Sequence, residues 1–143
     1  MNEQHGILPP IEITPKDLSA YRQGNRGVDY VHTLESGRPG PHVIVNALTH
    51  GNEFCGMVGV TDLFERGIRP LRGKLTLAFA NVDAYHRFDP AAPFDSRFVE
   101  RDFNRIWDAD TLEGPDATVD VKRGRALRHI YAEADAARGA GDH

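Results

Sequence analysis

The chain has 143 residues, of which 40% are hydrophobic and 27% are charged, and its formal net charge is −4. This length suits one domain with a hydrophobic core. Nothing in the balance of charges suggests a nucleic-acid-binding surface, which would need a basic patch, and no apolar run approaches the roughly 20 residues of a membrane helix. The single cysteine excludes an internal disulfide, and the N-terminal residues do not resemble a secretory signal, so we expect a cytoplasmic location.

Predicted strands and helices alternate along the chain. Short β-branched apolar runs predict the strands, and apolar residues at three- and four-residue steps predict the helices. Residues 1–26 form a predicted lead-in, in which Thr14-Pro15-Lys16-Asp17 opens a short helix that ends near Gly24. The elements predicted within the second unit, 27–143, are strands over 28–34, 43–48 and 74–81 and helices over 54–67 and 119–137.

Residues 82–117 are predicted to form a long irregular segment that is rich in aspartate, proline, arginine and aromatic residues. Irregular segments of this length are uncommon inside a compact domain and tend to be functional. The alternating strands and helices on either side of the segment indicate a fold of the α/β class.

The sequence His50-Gly51-Asn52-Glu53 directly follows the second predicted strand. The end of a strand at the start of a helix is the usual place for a site in an α/β sheet. With a helix start near Gly51, the imidazole and the carboxylate can face the same way, and zinc binds both kinds of ligand. The alternative is a helix cap followed by a first-turn acid, and the short motif alone leaves it open.

A second polar stretch, Arg97-Phe98-Val99-Glu100-Arg101-Asp102-Phe103-Asn104-Arg105, lies within the irregular segment. An arginine presents a planar fork that binds a carboxylate in a bidentate way, which a lysine cannot do. We expect Asp102 to be a buried partner that orients an arginine or a loop amide. The alternative for the whole stretch is a surface loop of mixed charge.

Together, the two motifs resemble those of the aspartoacylase and succinylglutamate desuccinylase family of the zinc carboxypeptidase superfamily. The resemblance extends from about Gly27 to the C-terminus and depends on both motifs at this spacing. It implies a three-layer α/β/α zinc-carboxypeptidase-like (phosphorylase/hydrolase-like) fold with a mixed sheet, of which this sequence holds the N-terminal part. It also implies Zn²⁺ as the cofactor and hydrolysis of the amide bond of a small-molecule substrate, an N-acyl amino acid.

The resemblance implies a role for individual residues of the two motifs. His50 and Glu53 are expected to ligate the zinc ion. Arg97 is expected to polarise the scissile carbonyl and to stabilise the oxyanion, as a guanidinium does where negative charge develops. Asn104 and Arg105 are expected to hold the carboxylate of the substrate.

The family takes a third zinc ligand from a histidine on a later strand. His143 matches that histidine in its distance along the chain but not in its setting, because it is the last residue and follows no apolar strand. His86 and His129 match neither criterion. The glutamate that serves the family as general base has no counterpart in a matching context here.

These observations leave three functions open. The first is a zinc-dependent amide hydrolase, and the alternative is a truncated relative that binds metal without catalysis, which the missing base favours. The third is an α/β interaction module. Cys55, beside the first motif, is expected to be a small buried hydrophobe and not a nucleophile. A shortened sheet would leave an uncovered edge and apolar helix faces, so we also expect self-association as a homo-oligomer.

Overall fold

The computed structural model describes residues 9–141 and contains a mixed sheet of three strands. The strand order in this sheet is β1–β3–β2. The strands are β1 (Val31–Glu35), β2 (His42–Ala47) and β3 (Lys74–Phe79). β1 pairs antiparallel with β3, and β2 pairs parallel with it. The predicted α/β class with a mixed sheet is therefore confirmed.

Helices of very different length accompany the sheet. The helices of the described range are α1 (Phe54–Glu65), α2 (Val82–Tyr85), α3 (Ala109–Glu113) and α4 (Val119–Gly141), with 3-10 segments at Ser19–Tyr21 and Phe103–Arg105. Within the part of the chain that the structure describes, none of the helices is long and apolar enough to cross a membrane.

The side chains of β3 alternate between two hydrophobic clusters. Leu77 and Phe79 pack with Met57 of α1 on one face of the sheet. Ala78 packs with Leu127 of α4 on the other face. Because successive side chains of a strand point to opposite faces, each face is covered by one of the two long helices. The sheet thus lies between α1 and α4.

The N-terminal part of the chain departs from the prediction. The short helix predicted from Thr14 is wrong, because the side chain of Asp17 accepts a hydrogen bond from the Ser19 amide at 2.9 Å and only a 3-10 turn follows. The first strand begins at Val31, because Tyr30 has a φ of 63°, a left-handed conformation that a strand cannot include. The segment 82–117, predicted to be irregular, contains α2 and α3.

The parallel pairing of β2 and β3 brings the polar residues that follow each of these strands to the same edge of the sheet. The register places Ala47 opposite Phe79 at the carboxyl ends of β2 and β3. Beyond that point, the amide of Asn81 donates to the carbonyl oxygen of Leu48 at 2.8 Å. Leu48 is buried and has a φ of 61°, which is rare for a branched residue and turns the chain out of the strand. Thr49 and the motif that starts at His50 therefore lie beside the end of β3.

Candidate active site

His50 and Glu53 face each other across a turn and not along a helix. The helix predicted to start near Gly51 begins at Phe54, with Glu53 as its N-cap residue. The Glu53 amide donates to the His50 carbonyl at 3.2 Å, and the His50 amide donates to Glu53 Oε1 at 3.0 Å. The same oxygen lies 3.1 Å from His50 Nδ1. The turn therefore holds the imidazole and the carboxylate on one side, as predicted, but by a different local structure.

The turn has room only for a glycine at position 51. A Cβ atom there would lie 2.3 Å from the Ser96 carbonyl oxygen and 2.5 Å from the Tyr85 amide nitrogen. The Gly51 amide donates to the carbonyl oxygen of Arg97 at 3.1 Å. The missing side chain thus lets the first motif contact the start of the second.

Asp102 connects the second motif to the first. Its Oδ1 lies 2.8 Å from His50 Nε2 and accepts the amide of Asn104 at 3.0 Å, while its Oδ2 lies 3.9 Å from Arg97 Nε. The expectation that Asp102 orients an arginine or a loop amide is confirmed, although its side chain is only partly buried, at 27% exposure. Its contact with His50 was not predicted, because two motifs 52 residues apart carry no local signal of their pairing.

The two carboxylates restrict the imidazole of His50, which is 2% exposed. The hydrogen bond from His50 lowers the pKa of Asp102 against the opposing effect of its partial burial, so this carboxylate is ionised at neutral pH. A carboxylate facing Nε2 selects the tautomer that carries its proton on Nε2. The neutral ring then directs the lone pair of Nδ1 at Glu53. The other arrangement that satisfies this geometry is an imidazolium that donates to both carboxylates.

The residue predicted to stabilise the oxyanion and the two predicted to bind the substrate carboxylate lie near Asp102, and their side chains are exposed. Asp102 is the N-cap of the 3-10 segment Phe103–Arg105, and its carbonyl accepts the Arg105 amide at 2.9 Å. Asn104 and Arg105 are exposed on this segment, and the side chain of Arg97 is 46% exposed. The backbone of the three residues is therefore held in place, while their side chains are accessible to a ligand.

A buried carboxylate on α4 holds the middle of the second motif. Asp120 is 0% exposed, and its two oxygens accept the amides of Glu100, Arg101 and Val99 at 2.7, 2.9 and 3.1 Å. It also accepts a hydrogen bond from Asn81 Nδ2 at 2.7 Å. Burial raises the pKa of Asp120, but the amides and the Asn81 side chain outweigh it, and the pKa lies below its ordinary value.

The sequence did not indicate that Asp120 contacts the second motif. An acidic residue in the first turn of a helix is already explained by the helix dipole. Asn81 was the better indication of a site residue in the sequence, because it is a polar residue at the carboxyl end of a parallel strand, where sites in α/β sheets are built. Asn81 is fully buried and donates to Asp120.

The remaining candidates from the sequence do not join this site in the described residues. Cys55 is exposed, so its predicted burial is wrong: it lies on the first turn of α1, on the side facing away from the core. His86 follows the end of α2 and His129 lies on α4, and both are exposed. His143 lies outside the described residues. Within them, no group of three or more His, Cys, Asp or Glu side chains is arranged to hold a metal ion.

An apolar cavity of about 230 Å³ adjoins the first motif on the side of Asn52. Phe54 and Phe88 meet edge to face in its wall, with ring centroids 4.6 Å apart. Phe94, one turn before Arg97, is exposed beside it. The cavity provides uncharged surface next to the sequence that carries Glu53.

One family model covers most of the chain. The family model described as succinylglutamate desuccinylase/aspartoacylase catalytic domain matches residues 39–140. The chain belongs to this family. No curated protein and no solved structure matched the chain. The resemblance predicted from the two motifs is thus confirmed by the family model.

Both motifs and Asp120 lie inside the matched range of this succinylglutamate desuccinylase/aspartoacylase family member. The predicted lead-in, residues 1–26, lies outside it. The family consists of hydrolytic deacylases, and the matched part of the chain is similar to their catalytic domain.

Proposed function

We propose that this member of the succinylglutamate desuccinylase/aspartoacylase family is a zinc-dependent hydrolase that cleaves the amide bond of an N-acyl amino acid. The observation that carries the proposal is the 2.8 Å contact between Asp102 and His50. It brings the proposed metal ligands and the proposed substrate-binding residues together at the carboxyl edge of the parallel strands. The proposal includes a zinc-carboxypeptidase-like three-layer fold and a cytoplasmic location, the latter because a single cysteine excludes an internal disulfide.

His50 and Glu53 fit two zinc ligands in chemistry and in spacing. His50 Nδ1 and Glu53 Oε1 are 3.1 Å apart, and two ligand atoms each about 2.1 Å from a tetrahedral zinc ion lie roughly 3.4 Å apart. In the neutral ring that is protonated on Nε2, the lone pair of Nδ1 faces Glu53 Oε1, and a cation bound between the two atoms would replace that repulsion with two attractive contacts. Asp102 has the place of the carboxylate that usually orients a zinc-bound histidine through its other nitrogen. When bound there, zinc supplies a Lewis acid that polarises a carbonyl and makes water more acidic.

The proposal requires a third protein ligand, because catalytic zinc sites use three. His143 is our candidate from its position along the chain, and it lies outside the described residues. This ligand is therefore tested by substitution: the His143→Ala variant is expected to bind zinc at least tenfold more weakly than the wild-type chain. Unchanged affinity would assign the third position to another group.

The exposed cations near Asp102 would bind and orient the substrate. The guanidinium of Arg97 is accessible and lies 3.9 Å from Asp102 Oδ2. From this position it would bind the carbonyl oxygen of the scissile amide and stabilise the negative charge that develops there. Arg105, with Asn104, would hold the substrate carboxylate through a bidentate contact. The apolar cavity beside Asn52 would provide space for part of the acyl group.

The activity is tested with N-acetylaspartate and N-succinylglutamate as substrates for the zinc-loaded chain. We expect Arg97→Ala to lower kcat by roughly 100-fold or more, as the loss of an oxyanion donor does, and Arg105→Ala to raise KM. Arg66→Ala is the matched control, because Arg66 is 69% exposed and pairs with Asp62 at the far end of α1. Hydrolysis that neither substitution lowers, or no hydrolysis of any N-acyl amino acid by the wild-type chain, would contradict the proposal.

A metal-binding relative without catalysis is the second candidate. The observation that favours it is that the described residues provide two facing ligands and no group of three. It predicts zinc binding that depends on His50, together with no hydrolysis of either substrate. Activity that disappears in the Arg97→Ala variant would exclude it.

A further inference from the structure

We propose that Asp120 is a positioning residue of the active site, which fixes the loop of residues 99–101 against α4 so that Asp102 reaches His50. The effect of Asp120 on catalysis rests on the proposed function, whereas its contacts with the loop do not depend on that function. Asp120 lies 18 positions beyond Asp102 in the sequence and contacts neither proposed metal ligand. Its effect on the site must therefore pass through the loop.

The contacts of Asp120 require a carboxylate. Three consecutive backbone amides and one side-chain amide donate to its two oxygens, over distances of 2.7–3.1 Å. An ionised carboxylate only accepts hydrogen bonds and has about four acceptor positions, which matches this set of donors. An asparagine at the same place would bring one acceptor oxygen and one NH₂ group that faces other donors. A fully buried charge is tolerated here because all of its acceptor capacity is occupied.

The loop and the helix hold each other reciprocally. Glu100 Oε2 accepts the amide of Val119, the first residue of α4, at 2.7 Å. The guanidinium of Arg101 donates to Asp116 Oδ2 at 2.6 Å. An acid at the N-cap of a helix accepts amides of that helix's own first turn, whereas Asp120 is the second residue of α4. Asp120 instead accepts amides from another segment, which indicates a role in placing that segment.

The position of the loop determines the contact between the two motifs. Arg101, whose amide is bound to Asp120 at 2.9 Å, is followed directly by Asp102, whose Oδ1 lies 2.8 Å from His50 Nε2. Because a hydrogen bond fails beyond about 3.5 Å, a loop shift of roughly 1 Å would release the imidazole. The same shift would move the 3-10 segment that presents Arg105.

The test compares Asp120→Asn with a matched control, Asp110→Asn, in the full chain. Asp110 is also in the first turn of a helix, α3, but is exposed. We expect the Asp120→Asn variant to keep the slow amide exchange of β3, while exchange at 99–101 becomes faster by roughly tenfold or more, as the loss of one or more hydrogen bonds predicts. The ¹⁵N resonances of the His50 ring should shift, and zinc affinity should fall by about tenfold. The control should match the wild-type chain in all three.

A merely structural role would change amide exchange without changing the His50 resonances or the zinc affinity, and that result would overturn the proposal. Unchanged exchange at 99–101 would overturn it as well. Should Asp120→Asn fail to fold, Glu100→Gln weakens the second contact between the loop and α4, that of Glu100 Oε2 with the Val119 amide, and is expected to change the same signals in the same direction. In the wild-type chain, amides 99–101 must exchange more slowly than neighbouring loop amides. Amide exchange and the His50 ring resonances can be measured without a metal. A chain that binds no zinc would therefore contradict the proposed function but not the positioning role of Asp120.

Discussion

Replacing Gly51 by alanine should break the contact between the two motifs. The added Cβ would lie 2.3 Å from the Ser96 carbonyl oxygen, 2.4 Å from the Ala84 carbonyl carbon and 2.5 Å from the Tyr85 amide nitrogen. All three are backbone atoms, so the clash cannot be relieved by rotating a side chain. The backbone of the loop must move away, and the hydrogen bond from the Gly51 amide to Arg97 would be stretched.

The expected loss follows from these two effects. Forcing one extra carbon into a packed site costs about 1–3 kcal/mol, and losing a buried backbone hydrogen bond costs about 1 kcal/mol. The free energy of unfolding should therefore fall by about 2–4 kcal/mol. With a urea m-value of about 1.5 kcal/mol/M, the midpoint of unfolding should fall by roughly 2 M. Urea titration followed by circular dichroism measures this shift.

Gly59→Ala is the matched control for this substitution. Gly59 lies within α1, and a Cβ at that position meets no atom within 4 Å. Alanine has the higher helix propensity, so this variant should be more stable by about 0.5–1 kcal/mol. A Gly51→Ala variant within 0.5 kcal/mol of the wild-type chain would refute the packing argument, as would equal losses in the two variants.

Three further predictions concern the site, its pH dependence and the sheet edge. Asp102→Asn should weaken zinc binding by about 10–100-fold in a competition titration, and unchanged affinity would show that the contact with His50 does not support a ligand. The Thr118 side chain and amide, then Arg101, hold the pKa of Asp116 at about 2, below its unfolded value near 3.9, so its stabilising effect is complete above about pH 4 and is lost as the pH falls towards 2. Between about pH 4 and pH 2, the urea midpoint of the Asp116→Asn variant should therefore fall by less than that of the wild-type chain. Equal falls in the two proteins would show that Asp116 does not cause this pH dependence. At the edge of the described sheet, β2 exposes Val43 at 49%, so we expect concentration-dependent dimers in sedimentation that Val43→Lys weakens, whereas a monomer at every concentration would oppose edge pairing.

The sequence predicted most of what is locally encoded. The strands and the two long helices follow from apolar periodicity, and His50 and Glu53 face each other as their spacing suggested, although a turn and not a helix brings them together. The contacts of Asp102 with His50 and of Asp120 with the loop could not be predicted in this way. They join residues 52 and 19–21 positions apart through the fold, and nothing in either local pattern specifies its partner.

Local patterns also misplaced two features. The proline after Thr14 favours a helix start, but the carboxylate of Asp17 binds the Ser19 amide and stabilises a turn there instead. Cys55 was expected to be buried because cysteine usually is. It lies on the outer face of α1, because Phe54 and Met57 occupy the positions that face the core.

The zinc content of the purified chain tests the central claim most directly. Elemental analysis after dialysis should find about one zinc per wild-type chain and about one per His86→Ala chain, since the exposed side chain of His86 lines a different pocket, with Asp83 and Arg123. The His50→Ala variant should contain none. Absence of zinc from the wild-type chain, or the same content in the His50→Ala variant, would contradict a zinc site built on His50 and Glu53.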